Sequence, residues 1–204
     1  MLATTPLEDK QRKYVKYISS SGMRLQSMVD SLLMMAKVYA GKLQLHRQPV
    51  DFIDLARTVL DEFDTIAERK HIKLVSDFPE EERTLDLDKT ICHRVLDNLL
   101  ANAIKFSPQG ALVEMAIEYL PNGDVCLCIT DSGPGVKPEI QQQIFETFEI
   151  GQVMEGISQT GLGLAFCKTA VEAHGGKISV ENRTPRGAVF TLILPGSGDE
   201  GMRG

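Results

Sequence analysis

Asn98, Asn102 and Lys105 recur at steps of four and three within Lys89–Phe106. At about 100° per residue they fall within roughly a 60° arc of one helix face. Cys92, Val95, Leu96, Leu99 and Ala103 gather on the neighbouring face. Two amides and an ammonium beside a core are costly unless they meet solvent or a ligand. An amide oxygen is a hard donor suited to Mg²⁺, and lysine supplies a point charge for phosphate. A polar outer helix face is the plainer reading of the same three residues.

Two loops carry further chemistry. Asp131-Ser132-Gly133-Pro134-Gly135 follows an alternating apolar run. A carboxylate at the end of a buried strand can accept a hydrogen bond from an adenine amino group, with glycines letting the ring lie against backbone. Asp-Ser-Gly is equally ordinary turn chemistry. Thr160-Gly161-Leu162-Gly163-Leu164 is a Gly-rich turn running into Ala165–Ala173, apolar at helical spacing and stopped by Gly175-Gly176. The first N–H groups of a helix lack internal partners and attract phosphate. Taken alone, the turn also reads as a tight connection.

The elements that must position these groups follow from periodicity. Pro6–Lys42 predicts one long helix, with a seam at Tyr14, Ile18, Leu25, Met28, Leu32 and Met35 and an interruption at Gly22. Such a seam needs a partner helix. Either the chain dimerises through it or the partner lies N-terminal to Met1. Leu43–Val50 predicts a strand ended by Pro49. A helix capped by Asp51 or Asp54 runs to Lys70, with Leu55, Val59, Leu60, Phe63, Ile66 and Ala67 inward. Ile72–Phe78 and Leu85–Leu87 predict strands, and Asp88 caps the helix Lys89–Phe106. Ala111–Leu120 and Val125–Asp131 predict a hairpin around Pro121-Asn122-Gly123-Asp124. Pro138–Phe145 predicts a short helix; Lys177–Asn182 and Ala188–Leu194 predict a second hairpin. Glu146–Gln159 has few apolar anchors and no clean period, so a mobile segment is expected there without nucleotide. The pattern from residue 43 onward is α/β of the α+β kind: a two-layer sandwich with helices on one face of a mixed, mostly antiparallel sheet.

Composition removes other classes. A formal net charge of −6 supplies no basic stripe for nucleic acid. No apolar run reaches the roughly 18–20 residues a membrane span requires, so no membrane contact by this chain is expected. The four cysteines, Cys92, Cys126, Cys128 and Cys167, lack paired metal spacing and read as reduced packing residues of a cytoplasmic protein. Cys126 and Cys128 should share one strand face.

Asn98–Phe106 (NLLANAIKF), Asp131–Gly135 (DSGPG), Ile144–Phe148 (IFETF) and Thr160–Leu164 (TGLGL) resemble, in order and separation, four sequence boxes of sensor histidine kinases. These are the N, G1, F and G2 boxes of the Bergerat-fold ATPase superfamily. The resemblance covers nearly the whole chain and implies ATP and Mg²⁺ as ligands. By position it implies Asn102 as the Mg²⁺ ligand, Asn98 lining the phosphate side, Lys105 contacting phosphate and Phe106 packed beside the nucleotide. It implies Asp131 reading adenine, Gly133 and Gly135 shaping that wall, and Thr160, Gly161, Leu162 and Gly163 closing the ATP lid with backbone amides. Asn102 and Lys105 thereby become the candidate catalytic residues. Phe145 and Phe148 fit lid packing at least as well as direct contact, and His174 fits a structural helix end.

The implied organisation is residues 1–42 as the second helix of a dimerisation domain, 43–195 as the ATP-binding catalytic domain and 196–204 as a flexible tail. Partners implied are a histidine-bearing dimerisation helix, a homodimer in the parent protein and a response regulator. Two departures stand out. Gln159 occupies a place where the G2 box usually has glycine. None of His46, His71, His93 or His174 has the setting of the family's phosphoacceptor, so the first dimerisation helix is expected outside this chain and autophosphorylation is not expected from it alone. The competing expectation is a nucleotide-binding regulatory or scaffold module without transferase activity. A water-directed ATPase is disfavoured, because Asn98 stands where hydrolysing relatives would carry an acid.

Overall fold

The computed structural model describes residues 44–146 and 162–196, with scattered positions between 8 and 36. The chain divides into two units, Met1–Leu43 and Gln44–Gly204. In the first, every described residue between 10 and 36 is helical, and this helix is α1. Tyr14, Tyr17, Ile18, Leu25, Val29 and Leu33 along it are all exposed. Met28, Leu32 and Met35 of the expected seam lie outside the described residues.

In the second unit, β1 (Gln48–Asp51) pairs antiparallel with β3 (Thr84–Leu87) as a separate two-stranded sheet. The main sheet has the order β2-β4-β5-β7-β6, built from β2 (Lys73–Asp77), β4 (Leu112–Tyr119), β5 (Val125–Thr130), β6 (Lys177–Asn182) and β7 (Ala188–Leu194). Only the β2–β4 pairing is parallel. Alternation decides its faces. Val113, Met115 and Ile117 on β4, Val125, Leu127 and Ile129 on β5, and Phe190, Leu192 and Leu194 on β7 are buried. Helices α2 (Phe52–Arg69), α3 (Lys89–Phe106) and α4 (Leu162–Ala173) complete the layer that covers this unit's core. Each fully buried aliphatic side chain there contributes about 1.5–3 kcal/mol. Cys126 and Cys128 lie on one side of β5, their sulfurs 3.9 Å apart.

The caps explain the helix starts. Asp51 accepts from Asp54 N–H at 3.0 Å and Asp88 from Ile91 N–H at 3.1 Å, satisfying donors that the helices cannot. The strand expected over Leu43–Val50 instead begins at Gln48 and contains Pro49, which sits opposite Asp86. A two-stranded sheet has only edges, where a missing N–H breaks no internal ladder. Ile66 is exposed, not inward, although it shares the α2 face of the buried Leu55 and Val59; it lies in the last turn of the helix, where only Ala67 is buried. Pro138–Phe145 resolves into two 3-10 turns, Pro138–Ile140 and Gln143–Phe145, each too short for an α-helical ladder. Residues 147–161 and 197–204, which include most of the expected mobile segment and the tail, lie outside the described residues.

Candidate functional site

Asn98, Asn102 and Lys105 project along α3 as the spacing requires: both amides are half-buried and the lysine is exposed. The Lys105 ammonium lies 5.1 Å from the centre of the Phe106 ring. Partial burial pushes the Lys105 pKa down, so removing its charge is easier than in water. The end of α3 is held by a residue the sequence pattern did not single out. Lys70, just past α2, donates from Nζ to the carbonyls of Ile104, Lys105 and Ser107 at 2.6, 2.6 and 2.7 Å. A cation on the terminal carbonyls of a helix satisfies orphan acceptors and complements the dipole. Arg47 plays the same part on α4, donating to the Ala173 carbonyl at 3.2 Å.

The loop after β5 is joined to this helix end. Ser107 is buried, and its hydroxyl accepts the Ser132 N–H at 3.2 Å. Asp131 is only 4% exposed. Its Oδ1 accepts the Gly133 N–H at 2.7 Å and the Ala188 N–H at 3.2 Å. Burial raises the Asp131 pKa, and these two N–H groups partly oppose the rise. A side chain on Gly133 would meet Asp131 Oδ1 at 2.9 Å and the Phe106 carbonyl oxygen at 3.0 Å. Glycine is therefore required for this loop to lie on the end of α3. Gly135 has φ +76°, a left-handed conformation, and a Cβ there would reach Asn182 Oδ1 at 2.7 Å.

Asn182 closes the same loop, accepting the Val136 N–H at 2.7 Å and donating to the Val136 carbonyl at 2.8 Å. Arg186 donates to the Gly133 carbonyl at 3.0 Å. Neither was singled out in the sequence; both act on backbone far along the chain, which leaves no local signature.

The third expected element meets the first. Helix α4 begins at Leu162, earlier than the expected Ala165, so Gly163 lies inside its first turn. A Cβ on Gly163 would come within 2.8 Å of Asn98 Oδ1. The start of α4 and the amide row of α3 are thus in direct proximity. Thr160 and Gly161 lie outside the described residues, and for Leu162 only the helical backbone is described. Phe145 is buried and packs edge-on against Phe190, ring centres 6.4 Å apart, while Glu146 pairs with Lys168 at 2.7 Å. Phe145 therefore belongs to the core; Phe148 lies outside the described residues.

His174 is buried: its Nε2 accepts the Asp88 N–H at 3.0 Å, and its Nδ1 lies 2.7 Å from the Ala170 carbonyl. It ties α4 to the cap of α3. His93 faces Glu62 and Asp97. His71 closes the turn after α2 at φ 54°, and the His46 N–H donates to Asp88 at 3.0 Å.

Residues 87–198, over half of the chain, match the family of histidine kinase-, DNA gyrase B- and HSP90-like ATPases. The chain belongs to that family, and its compact unit is an ATP-binding domain of the sensor-histidine-kinase type. Among curated relatives, sensor histidine kinase TmoS of Ectopseudomonas mendocina is 34% identical over 191 residues, covering 93% of this chain and 20% of TmoS. The adaptive-response sensory kinase SasA of a Synechocystis strain is 28% identical over 199 residues, covering 96% of this chain and 52% of SasA. The chain thus spans a fifth to about half of these relatives. Among solved structures, full-length ShkA in complex with AMPPNP superposes with a TM-score of 0.78 at 30% identity, covering 94% of this chain and 40% of ShkA. The mycobacterial sensor histidine kinase MprB superposes at 0.63 with 29% identity, covering 74% and 97% respectively. No helix among the described residues is long and apolar enough to cross a membrane.

Proposed function

We propose that this chain is the phosphoryl-donating part of a sensor histidine kinase, binding ATP with Mg²⁺ and passing the γ-phosphoryl group to a histidine outside the chain. The observation that carries the reading is Asp131. A buried carboxylate is held on one oxygen by two backbone N–H groups, against a loop that only glycine can pack on the end of α3. In this reading Asp131 accepts from the adenine amino group, and Gly133 and Gly135 keep that wall flat. Phe106 lies beside the base.

Asn102 supplies a hard amide oxygen to Mg²⁺, and Asn98 and Lys105 line the phosphate side. Thr160, Gly161, Leu162 and Gly163 contribute backbone N–H groups at the start of α4, where a helix favours anions. The fit of a polyphosphate rests on Gly163, whose missing Cβ lets the start of α4 lie close against Asn98. Mg²⁺, when bound, neutralises phosphate charge; the protein positions the donor.

The uncovered apolar residues of α1 support a partner helix, which we assign as the histidine-bearing helix of a dimerisation domain in a homodimer. A response regulator is the proposed downstream partner; among fold neighbours, ThkA has been solved in complex with the response regulator TrrA. The site of action is the cytoplasmic side, where ATP is available. None of His46, His71, His93 or His174 belongs to the proposed site, which supports an acceptor elsewhere.

The test is titration of a fluorescent ATP analogue with and without Mg²⁺, repeated on Asn102→Ala. Mg²⁺-dependent affinity that Asn102→Ala abolishes is expected; equal binding in all four conditions removes the assignment. Radiolabelled ATP should then leave no acid-labile phosphate on this chain alone, and label should appear on an added polypeptide carrying the acceptor helix.

A further inference from the structure

Beyond Thr130 the loop that carries Asp131 has no strand of its own, and the turn between β6 and β7 supplies partners for its backbone. The Asp131 N–H donates to the Ala188 carbonyl at 2.9 Å, and the Ala188 N–H returns to Asp131 Oδ1 at 3.2 Å. Gly187, at φ +121°, lies so close to the Asp131 carbonyl that a Cβ there would overlap it. These backbone contacts fix where the loop starts. The path of the residues that follow depends on two side chains. The Asn182 amide accepts the Val136 N–H at 2.7 Å and donates to the Val136 carbonyl at 2.8 Å. Arg186 Nε donates to the Gly133 carbonyl at 3.0 Å.

The two side chains thus grip the loop at Gly133 and just past Gly135, at both ends of the stretch assigned to the base. An amide suits the second grip because it carries an acceptor and a donor, as a peptide group does. Gly135 admits it: a Cβ there would come within 2.7 Å of Asn182 Oδ1. Asn182 and Arg186 are both exposed, so neither adds much to the buried core. We propose that Asn182 and Arg186 are positioning residues for base selection, holding Gly133 to Val136 so that Asp131 meets the amino group of adenine. This role rests on Asp131 as the adenine acceptor. A turn remote in sequence then sets the preference for ATP over a nucleotide that lacks the amino group. A clasp that merely stabilised the turn would affect every nucleotide alike.

The experiment compares ATP with inosine triphosphate, which has a carbonyl oxygen where ATP has the amino group, by calorimetric titration of the whole chain. The wild type should prefer ATP by at least about tenfold. Asn182→Leu, which loses both bonds to Val136, should shrink that ratio about tenfold by weakening ATP while inosine triphosphate binds as before. Asn182→Asp, which keeps an acceptor but sets an oxygen against the Val136 carbonyl, should shift the ratio the same way; it decides if the leucine variant does not fold. Arg186→Ala should shrink the ratio about threefold, and Arg186→Lys, which retains a donor, should restore it. In an Asp131→Asn background, Asn182→Leu should have no further effect on ATP, because both act through one contact. A wild type that prefers ATP while the Asn182 and Arg186 variants keep the same ratio would overturn the positioning role alone, as would equal losses for both nucleotides. A wild type without preference would overturn the Asp131 assignment and this role with it.

Discussion

Asp131→Asn should weaken ATP binding while strengthening the fold, and the structure gives the reason for both signs. Both backbone bonds to this side chain fall on Oδ1. An asparagine can keep both with its own Oδ1, placing Nδ2 where Oδ2 stood. On the proposed reading, the adenine amino donor then faces another donor. A hydrogen bond to a charged group is worth about 1.5–3 kcal/mol, so affinity should fall roughly 10- to 150-fold. Stability moves the other way. Burial raises the Asp131 pKa against the opposing pull of the Gly133 and Ala188 N–H groups. A carboxyl whose folded pKa exceeds its unfolded value near 3.9 is destabilising when ionised. Its cost is absent below the unfolded pKa, grows as pH rises to the folded value, and is constant above. At neutral pH the amide removes that cost. Calorimetric titration with ATP and urea unfolding at pH 7 measure the two effects. An affinity within twofold of wild type, together with lower stability, would refute the argument, because Asp131 would then be a fold residue only.

Lys70→Met keeps the aliphatic stem and removes the donor to three carbonyls, so about 2–3 kcal/mol of stability should be lost in urea unfolding; a loss below about 0.5 kcal/mol would mean that water replaces the ammonium there. Gly163→Ala places a Cβ 2.8 Å from Asn98 Oδ1, so nucleotide affinity should drop at least about tenfold while melting temperature moves little; unchanged affinity would separate α4 from the phosphate site. Burial lowers the His174 pKa, with the Ala170 carbonyl opposing. The neutral ring is therefore the folded form. Stability should be level above pH about 6.5 and fall by up to about 1.4 kcal/mol per unit below it, until the folded pKa is reached. Urea midpoints from pH 8 to 5 should show that slope, and His174→Asn should flatten it.

What the sequence disclosed depended on whether an interaction is local. Asp88 announces α3 because its partner, Ile91, is three residues away. The last strand of the main sheet follows from alternation of buried and half-buried positions over Ala188–Leu194. The Asn98, Asn102 and Lys105 row follows from helical spacing alone. Lys70 could not be found this way, because its partners are carbonyls, which every residue has, 34 to 37 positions along the chain. Asn182 and Arg186 reach backbone 46 and 53 positions away and were missed for the same reason. Pro49 misled, since a proline in a strand reads as an end unless the strand is known to be an edge.

The non-local contacts also divide the site into two mechanically different halves. Ser107 ties the end of α3 to Ser132, Lys70 closes the same helix end, and Gly133 packs on Phe106. The wall around Asp131 and the last turn of α3 therefore move as one piece, fixed by bonds that no ligand has to form. Such preorganisation lowers the ordering cost of binding on that side. The phosphate side is built differently. Its amide row belongs to α3, but its facing glycine belongs to the first turn of α4, a separate helix held to the α3 cap at its far end by His174 and to α3 itself by buried Phe166 and Cys167. On the proposed reading, base recognition is thus set before binding, while the phosphate side is assembled from two separate helices.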